Sequence, residues 1–217
     1  MFKRESIILL FYLGITFWVS CSGSNPKRDL LNYTLTPEEI TLLQEGDILL
    51  RHGYGYVSNM IVKTLDEAIP VSHVGLLTLN DEGNFMVIHS VSQSVSDADG
   101  VQIQELKSFV RDSQPYTLIV VRYKKLTEDP HAGTLITSQA LNYLEQKVPF
   151  DYSFDFQDTE RFFCTEFIAR VIVDVFDDEI FSEEVLQNLP ALDRLKFQFF
   201  FDEDRFDIVL NHHNALP

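Results

Sequence analysis

Cys164 is the one cysteine downstream of residue 21, and it opens the segment Cys164-Thr165-Glu166-Phe167-Ile168-Ala169-Arg170-Val171-Ile172. Phe167, Ile168, Val171, Ile172 and Val175 recur at helical spacing, which predicts a helix from about 164 to 176. A thiol in the first turn lies over free N–H groups and the positive end of the helix dipole. Both favour the thiolate, the form that attacks a carbonyl carbon. A lone cysteine is more often an inert core residue, so its partners decide between the two. His73 lies in the run Val71–Leu79, and His89 lies near the end of the run Phe85–Ser90, with the turn-forming Asn80-Asp81-Glu82-Gly83-Asn84 between them. That is the pattern of a β-hairpin. Alternation puts His73 on one face with Gly75 and Leu77, and His89 with Val87 and Phe85. A hairpin centred near Glu82 sets the two imidazoles close to opposite each other, where one could orient the other. A thiol with an oriented imidazole can do nucleophilic acyl chemistry.

The remaining histidines, His52, His131, His212 and His213, share no ligand-like spacing with carboxylates, so no metal and no other cofactor is expected. His52 stands near Tyr54, which is flanked by Gly53 and Gly55, and both residues are candidates for a substrate pocket.

The start of the chain reads as a targeting segment. Lys3 and Arg4 precede an apolar run from Ile7 to Trp18, too short to span a bilayer comfortably. The run ends at Val19-Ser20-Cys21, which resembles the lipobox of bacterial lipoproteins, with Trp18 where Leu is usual. The expected layout is a signal peptide over 1–20, a lipidated Cys21 and polar tether over 21–35, and one domain over 36–217. Lipid on Cys21 would leave Cys164 unpaired in an oxidising compartment, a liability unless the thiol has a task. The formal charge of −16 disfavours nucleic acid and anionic membrane surfaces and tolerates ligands carrying an amine.

The elements that must position these residues follow in order. Thr36-Pro37-Glu38-Glu39 is a capping box with proline at the first helical position, opening a helix to about Gln44. Glu45-Gly46-Asp47 turns into the buried strand Ile48-Leu49-Leu50, and Tyr56–Leu65 suits a second short helix. After the hairpin come a strand at Val101–Glu105, a helical turn at Leu106–Val110 and a strand at Tyr116–Tyr123. An amphipathic helix spans Thr134–Gln146, with Leu135, Ala140, Leu141 and Leu144 inward. The phenylalanine-rich acidic tail wraps the core. About five strands, with helices grouped before and after them, indicate an α+β fold.

Glu45-Gly46-Asp47-Ile48-Leu49, Ser72-His73-Val74-Gly75-Leu76, Pro149-Phe150-Asp151-Tyr152 and Phe163-Cys164-Thr165-Glu166-Phe167, in this order, resemble the YiiX/YebB-type permuted papain-like amidases. These belong to the NlpC-type cysteine hydrolases, with lecithin:retinol acyltransferase a distant relative. The resemblance covers roughly Leu42 to Val175. It implies a small antiparallel sheet or partial barrel packed against the helix carrying Cys164 as nucleophile, with His73 as general base. His89 falls where relatives place a third polar residue that orients the histidine. Relatives of this type often carry Glu there, and histidine is nearer the acyltransferases. Tyr152 and Glu166 match motif positions of pocket or scaffold type.

The function expected is an exported cysteine amidase or peptidase, membrane-anchored through Cys21 in the bacterial cell envelope. Its substrate would be an envelope amide such as a peptidoglycan stem peptide. The alternatives are an acyltransferase or thioesterase acting on a lipid ester, and a lipoprotein that binds an envelope ligand without turnover.

Overall fold

A computed structural model describes residues 33–213. The signal-peptide segment, Cys21 and most of the expected tether lie outside the described residues. Tyr33, placed by the sequence in the tether, is already buried against the domain.

Six antiparallel strands form one sheet in the order β4-β3-β2-β1-β5-β6. They are β1 (Ile48–Arg51), β2 (His73–Leu79), β3 (Phe85–Val91), β4 (Gly100–Glu105), β5 (Ile119–Tyr123) and β6 (Phe206–Asn211). The expectation of about five strands missed β6, in the tail expected only to wrap the core. This edge strand exposes Asp207 and Ile208 and buries only Phe206, so it lacks the apolar alternation of a half-buried strand.

The sheet is covered on both faces, so β1, β2 and β5 read as apolar runs. One face packs Ile48, Leu50, Val74, Leu76, Ile88, Ile119 and Val121 against α5 (Ala132–Glu145) and α6 (Cys164–Phe176). The other packs Leu49, Leu77, Val87 and Val120 beneath α3 (Leu106–Arg111), which contributes Leu106, Phe109 and Val110. Helix α1 (Pro37–Ile40) carries the expected capping box, with Thr36 Oγ1 accepting from Glu39 N–H. It ends four residues before the expected Gln44. Helix α2 (Tyr56–Leu65) lies between β1 and β2, and α4 (Lys125–Glu128) and α7 (Glu183–Asn188) complete the set. In α5 the inward residues are Ala132, Ile136, Thr137 and Ala140. Leu135, expected inside, is exposed, because the helix meets the sheet along the stripe of Ala132, Ile136 and Ala140, off which position 135 falls.

The motif Glu45-Gly46-Asp47 is an anchor for β1. Asp47 is fully buried and accepts from Arg122 Nε at 2.7 Å, Arg122 Nη2 at 2.9 Å and Gln44 N–H at 2.8 Å. Such a fork-to-fork pair is geometrically specific, and it pins the start of β1 to β5. Glu45 receives the hydroxyl of Thr137 at 2.9 Å and so joins the same corner to α5.

Candidate active site

The segment before α6 is held from two sides. Ser90 Oγ donates to Phe162 carbonyl at 2.5 Å, and Phe162 N–H donates to Pro149 carbonyl at 3.1 Å. Glu166, in the first turn of α6, accepts from Phe163 N–H at 3.4 Å and closes the helix start from below. These contacts fix the backbone that presents Cys164.

The sheet opens where that thiol arrives. Ladder pairing of β2 with β3 runs from Leu79↔Phe85 to Leu76↔Ile88 and goes no further. Beyond it β3 stays paired with β4, and β2 with β1. The Val74 N–H, outside that ladder, bears on the Cys164 thiol and lowers its pKa, as do the N–H groups of Thr165 and Cys164. The thiol therefore sits in the split between β2 and β3, one residue along from His73.

His73 and His89 meet at the same split, with His73 Nε2 and His89 Nδ1 2.7 Å apart and the rings edge to face at 5.0 Å between centroids. They are not opposite each other as the sequence suggested. His89 lies beside Gly75, and a methyl at Gly75 would stand 3.3 Å from His89 Cβ and 2.5 Å from Val87 Cγ1. The absent side chain leaves room for Val87 and His89 beside β2, and His89 is thereby within reach of the His73 ring. Phe109 roofs the pair, at 5.9 Å from the His73 ring and 5.7 Å from that of His89. Arg51, paired with His73 across the β1–β2 ladder, lies 4.1 Å over the Phe109 ring and donates from Nη1 to Phe109 carbonyl at 2.6 Å. The sequence reading set Gly75 on the face of His73 without giving it a role, and it missed Arg51 and Phe109. Arg51 alone left a signal: a charge ending an apolar strand at the end of the sheet where His73 begins.

The electrostatics correct one expectation. Cys164 is half-buried as a residue. Burial is still the larger influence on the thiol and pushes it up to about 12, while the three N–H groups pull it down. The amides and the helix end act in the expected sense, but desolvation outweighs them. Burial also takes His73 well below the usual histidine value, helped by the Arg51 charge and by His89, beside which a second protonated ring is disfavoured. The same burial, with Arg51, lowers His89 to about 3. The resting groups are thus a neutral thiol and two neutral imidazoles.

The other expected site residues are dispersed. Glu166 is fully buried, so it offers no surface to a pocket, a correction to the pocket expectation. Burial pushes its carboxyl up to about 9, with Arg170 acting in the opposite sense. Tyr152 exposes its ring and fastens two loops, donating to Asp99 Oδ1 at 2.6 Å and accepting from Gln93 N–H at 3.1 Å. Asp151 is buried and organises its own loop through Ser153 and Asp155 N–H. His52 is hydrogen-bonded to Asn59 at 3.0 Å and Gln114 at 3.1 Å, and Tyr54 beside it is exposed. Among the described residues, no three His, Cys, Asp or Glu side chains are grouped to hold a metal ion.

A cysteine at a helix start against a sheet that carries the histidine is the papain-type arrangement, here with histidine first in the chain. Residues 42–197 match the model of the permuted papain-like amidase enzymes, YaeF/YiiX, C92 family. The chain belongs to this family. It is accordingly an enzyme of papain-like type, a cysteine amidase or peptidase in general class. Among solved structures it is similar to one titled metalloprotein yiiX from Escherichia coli O157:H7, at 19% identity and a TM-score of 0.56. That match covers 77% of this chain and 97% of the other, and it supports the fold. No curated protein matches the sequence.

Proposed function

We propose that this amidase is an exported lipoprotein that cleaves an amide in the bacterial cell envelope through a thioester on Cys164. The observation that carries the chemistry is the thiol held in the β2–β3 split beside the His73–His89 pair. His73 spends Nε2 on His89, and this leaves Nδ1 as the nitrogen free to serve the thiol. For Nδ1 to carry a lone pair, His73 must donate from Nε2 to His89 Nδ1. His89 then holds its own proton on Nε2, a buried atom without a hydrogen-bond partner. Because the resting groups are neutral, His73 removes the Cys164 proton as sulfur attacks the carbonyl, rather than beforehand. It returns that proton to the leaving amine, and water activated by His73 then releases the acyl group. The Cys164 N–H at the helix start is one donor for the oxyanion.

Support for the setting comes from the sequence: the basic and apolar leader, the lipobox-like Val19-Ser20-Cys21, and an acidic surface suited to amine-bearing substrates such as stem peptides. The second reading is an acyltransferase or thioesterase on a lipid ester, favoured by histidine rather than a carboxylate at position 89. The test is turnover of a panel of stem peptides, N-acyl amines and lipid esters by wild type and Cys164→Ala. Amine release that requires Cys164 supports the amidase reading; fatty acid release alone selects the second. If turnover survives Cys164→Ala, the Cys164 mechanism is wrong.

A further inference from the structure

Helix α2 buries only Leu65 of its ten residues, while Ile61 is partly buried against the core. On its outer side, Tyr56 is 78% exposed, Met60 40% and Val57 38%, and Tyr54 just before the helix is 55% exposed. In a chain of net charge −16, no Asp or Glu occurs from Ile48 to Leu65. An apolar, aromatic, acid-free face is what an acidic protein needs in order to touch a surface that would repel the rest of it. Tyrosine in particular suits the headgroup boundary of a bilayer.

The placement of this face names its occupant. Tyr33, the first described residue, packs its ring 6.3 Å from Tyr116 and hydrogen-bonds His212. The next residue, Thr117, accepts from His52 N–H at 3.2 Å, and His52 in turn binds Asn59 of α2. The chain from Cys21 therefore joins the domain at the end of the sheet that carries α2. The segment between Cys21 and Tyr33 can reach at most about 40 Å when fully extended. Gly53 N–H donates to Ser72 Oγ at 3.0 Å, one residue before His73, so the same end carries the candidate active site.

We propose that Tyr54, Tyr56, Val57 and Met60 form an interfacial docking surface that rests on the phospholipid bilayer to which the N-terminus is attached. The inference relies on the reading of Cys21 as a lipid anchor. Docking turns the β2–β3 split toward the headgroup layer, so that substrates bearing an acyl or lipid portion enter from the membrane side. The absence of acidic groups and the single exposed cation of the helix, Lys63, fit a zwitterionic surface.

The one tryptophan of the sequence, Trp18, lies in the segment read as a signal peptide and leaves with it, so the acylated chain is a dark background for a reporter. The full-length sequence with Tyr56→Trp is produced in an acylating host, and the acylated chain is reconstituted in phosphatidylcholine vesicles. Leu135→Trp, exposed beside the Glu45 corner at the opposite end of the sheet, serves as the control reporter. Flotation of the Cys21→Ser form reports on the anchor separately. The docking surface predicts that the Tyr56→Trp reporter shifts to the blue and loses emission with brominated phosphatidylcholine, while the control reporter keeps its emission. Adding Val57→Glu and Met60→Glu should restore the emission of the Tyr56→Trp reporter. Flotation without bromine quenching of that reporter overturns the docking surface and leaves the anchor standing. A blue shift without bromine quenching means that protein covers the face, and it overturns the proposal too. Loss of flotation in the acylated chain overturns both.

Discussion

Acid should unfold this protein through its histidine pair. His73 and His89 are buried, roofed by Phe109 and adjacent to Arg51, so both stay neutral in the folded state well below the usual histidine value. The unfolded chain binds a proton on each once the pH drops below about 6.5. Folded values that are depressed give stability that is present above 6.5 and lost as pH falls. Two such imidazoles between pH 6.5 and 5.5 cost about 2 kcal/mol together, from about 1 kcal/mol each. The assay is urea unfolding of wild type and the His73→Gln/His89→Gln double variant from pH 7.5 to 5. Every other titrating group, including Glu166, is common to both proteins and cancels in the difference of slopes. The wild type should lose about 2 kcal/mol more than the double variant over that unit. Equal slopes would show that the pair titrates in the fold as freely as in the unfolded chain, and the neutral resting site would be refuted.

Other perturbations test other joints of the structure. Gly75→Ala puts a methyl 2.5 Å from Val87 Cγ1 and 3.3 Å from His89 Cβ. It should lower stability by about 1–3 kcal/mol and turnover with it; a variant of wild-type stability and rate would mean that the seat of His89 does not depend on that space. Asp47→Ala leaves Arg122 uncompensated against a buried corner and should cost about 3–5 kcal/mol in chemical unfolding. A loss under about 1 kcal/mol would reduce that pair to a surface contact. Glu166→Gln removes a carboxyl whose folded value is raised to about 9, so wild-type stability should fall relative to the variant as pH rises from about 5 to 9. Parallel pH curves for the two proteins would place a charged Glu166 inside the fold.

The sequence exposed those parts of the site that rest on local periodicity. Helix α6 spans the residues its apolar spacing indicates, and α2 matches its expected bounds. The hairpin was legible because its two runs flank a loop of turn residues. Its exact pairing was not, since a shift of two residues keeps every side chain on its face. That shift separates histidines set opposite each other from a diagonal pair with His89 beside Gly75. The split of β2 from β3 depends on the segment before Cys164 being tied to Ser90 and Pro149, and contacts between such distant residues leave no periodic trace. The balance at Cys164 was misjudged for a related reason. The helix end is visible in sequence, whereas the burial that outweighs it is a property of the packed fold. Glu166 gave no hint of its complete burial, because a glutamate in a first helical turn is ordinarily solvated.

The central claim is that His73 serves the Cys164 thiol. The direct test is the rate of iodoacetamide alkylation at Cys164 from pH 6 to 10, in Cys21→Ser chains with and without His73→Ala. The account predicts that the thiol titrates above its usual 8.5 in both proteins. It also predicts that the wild type reacts faster near pH 7 because His73 takes the proton as sulfur attacks. A thiol that titrates below pH 7, or identical rates with and without His73, would contradict it.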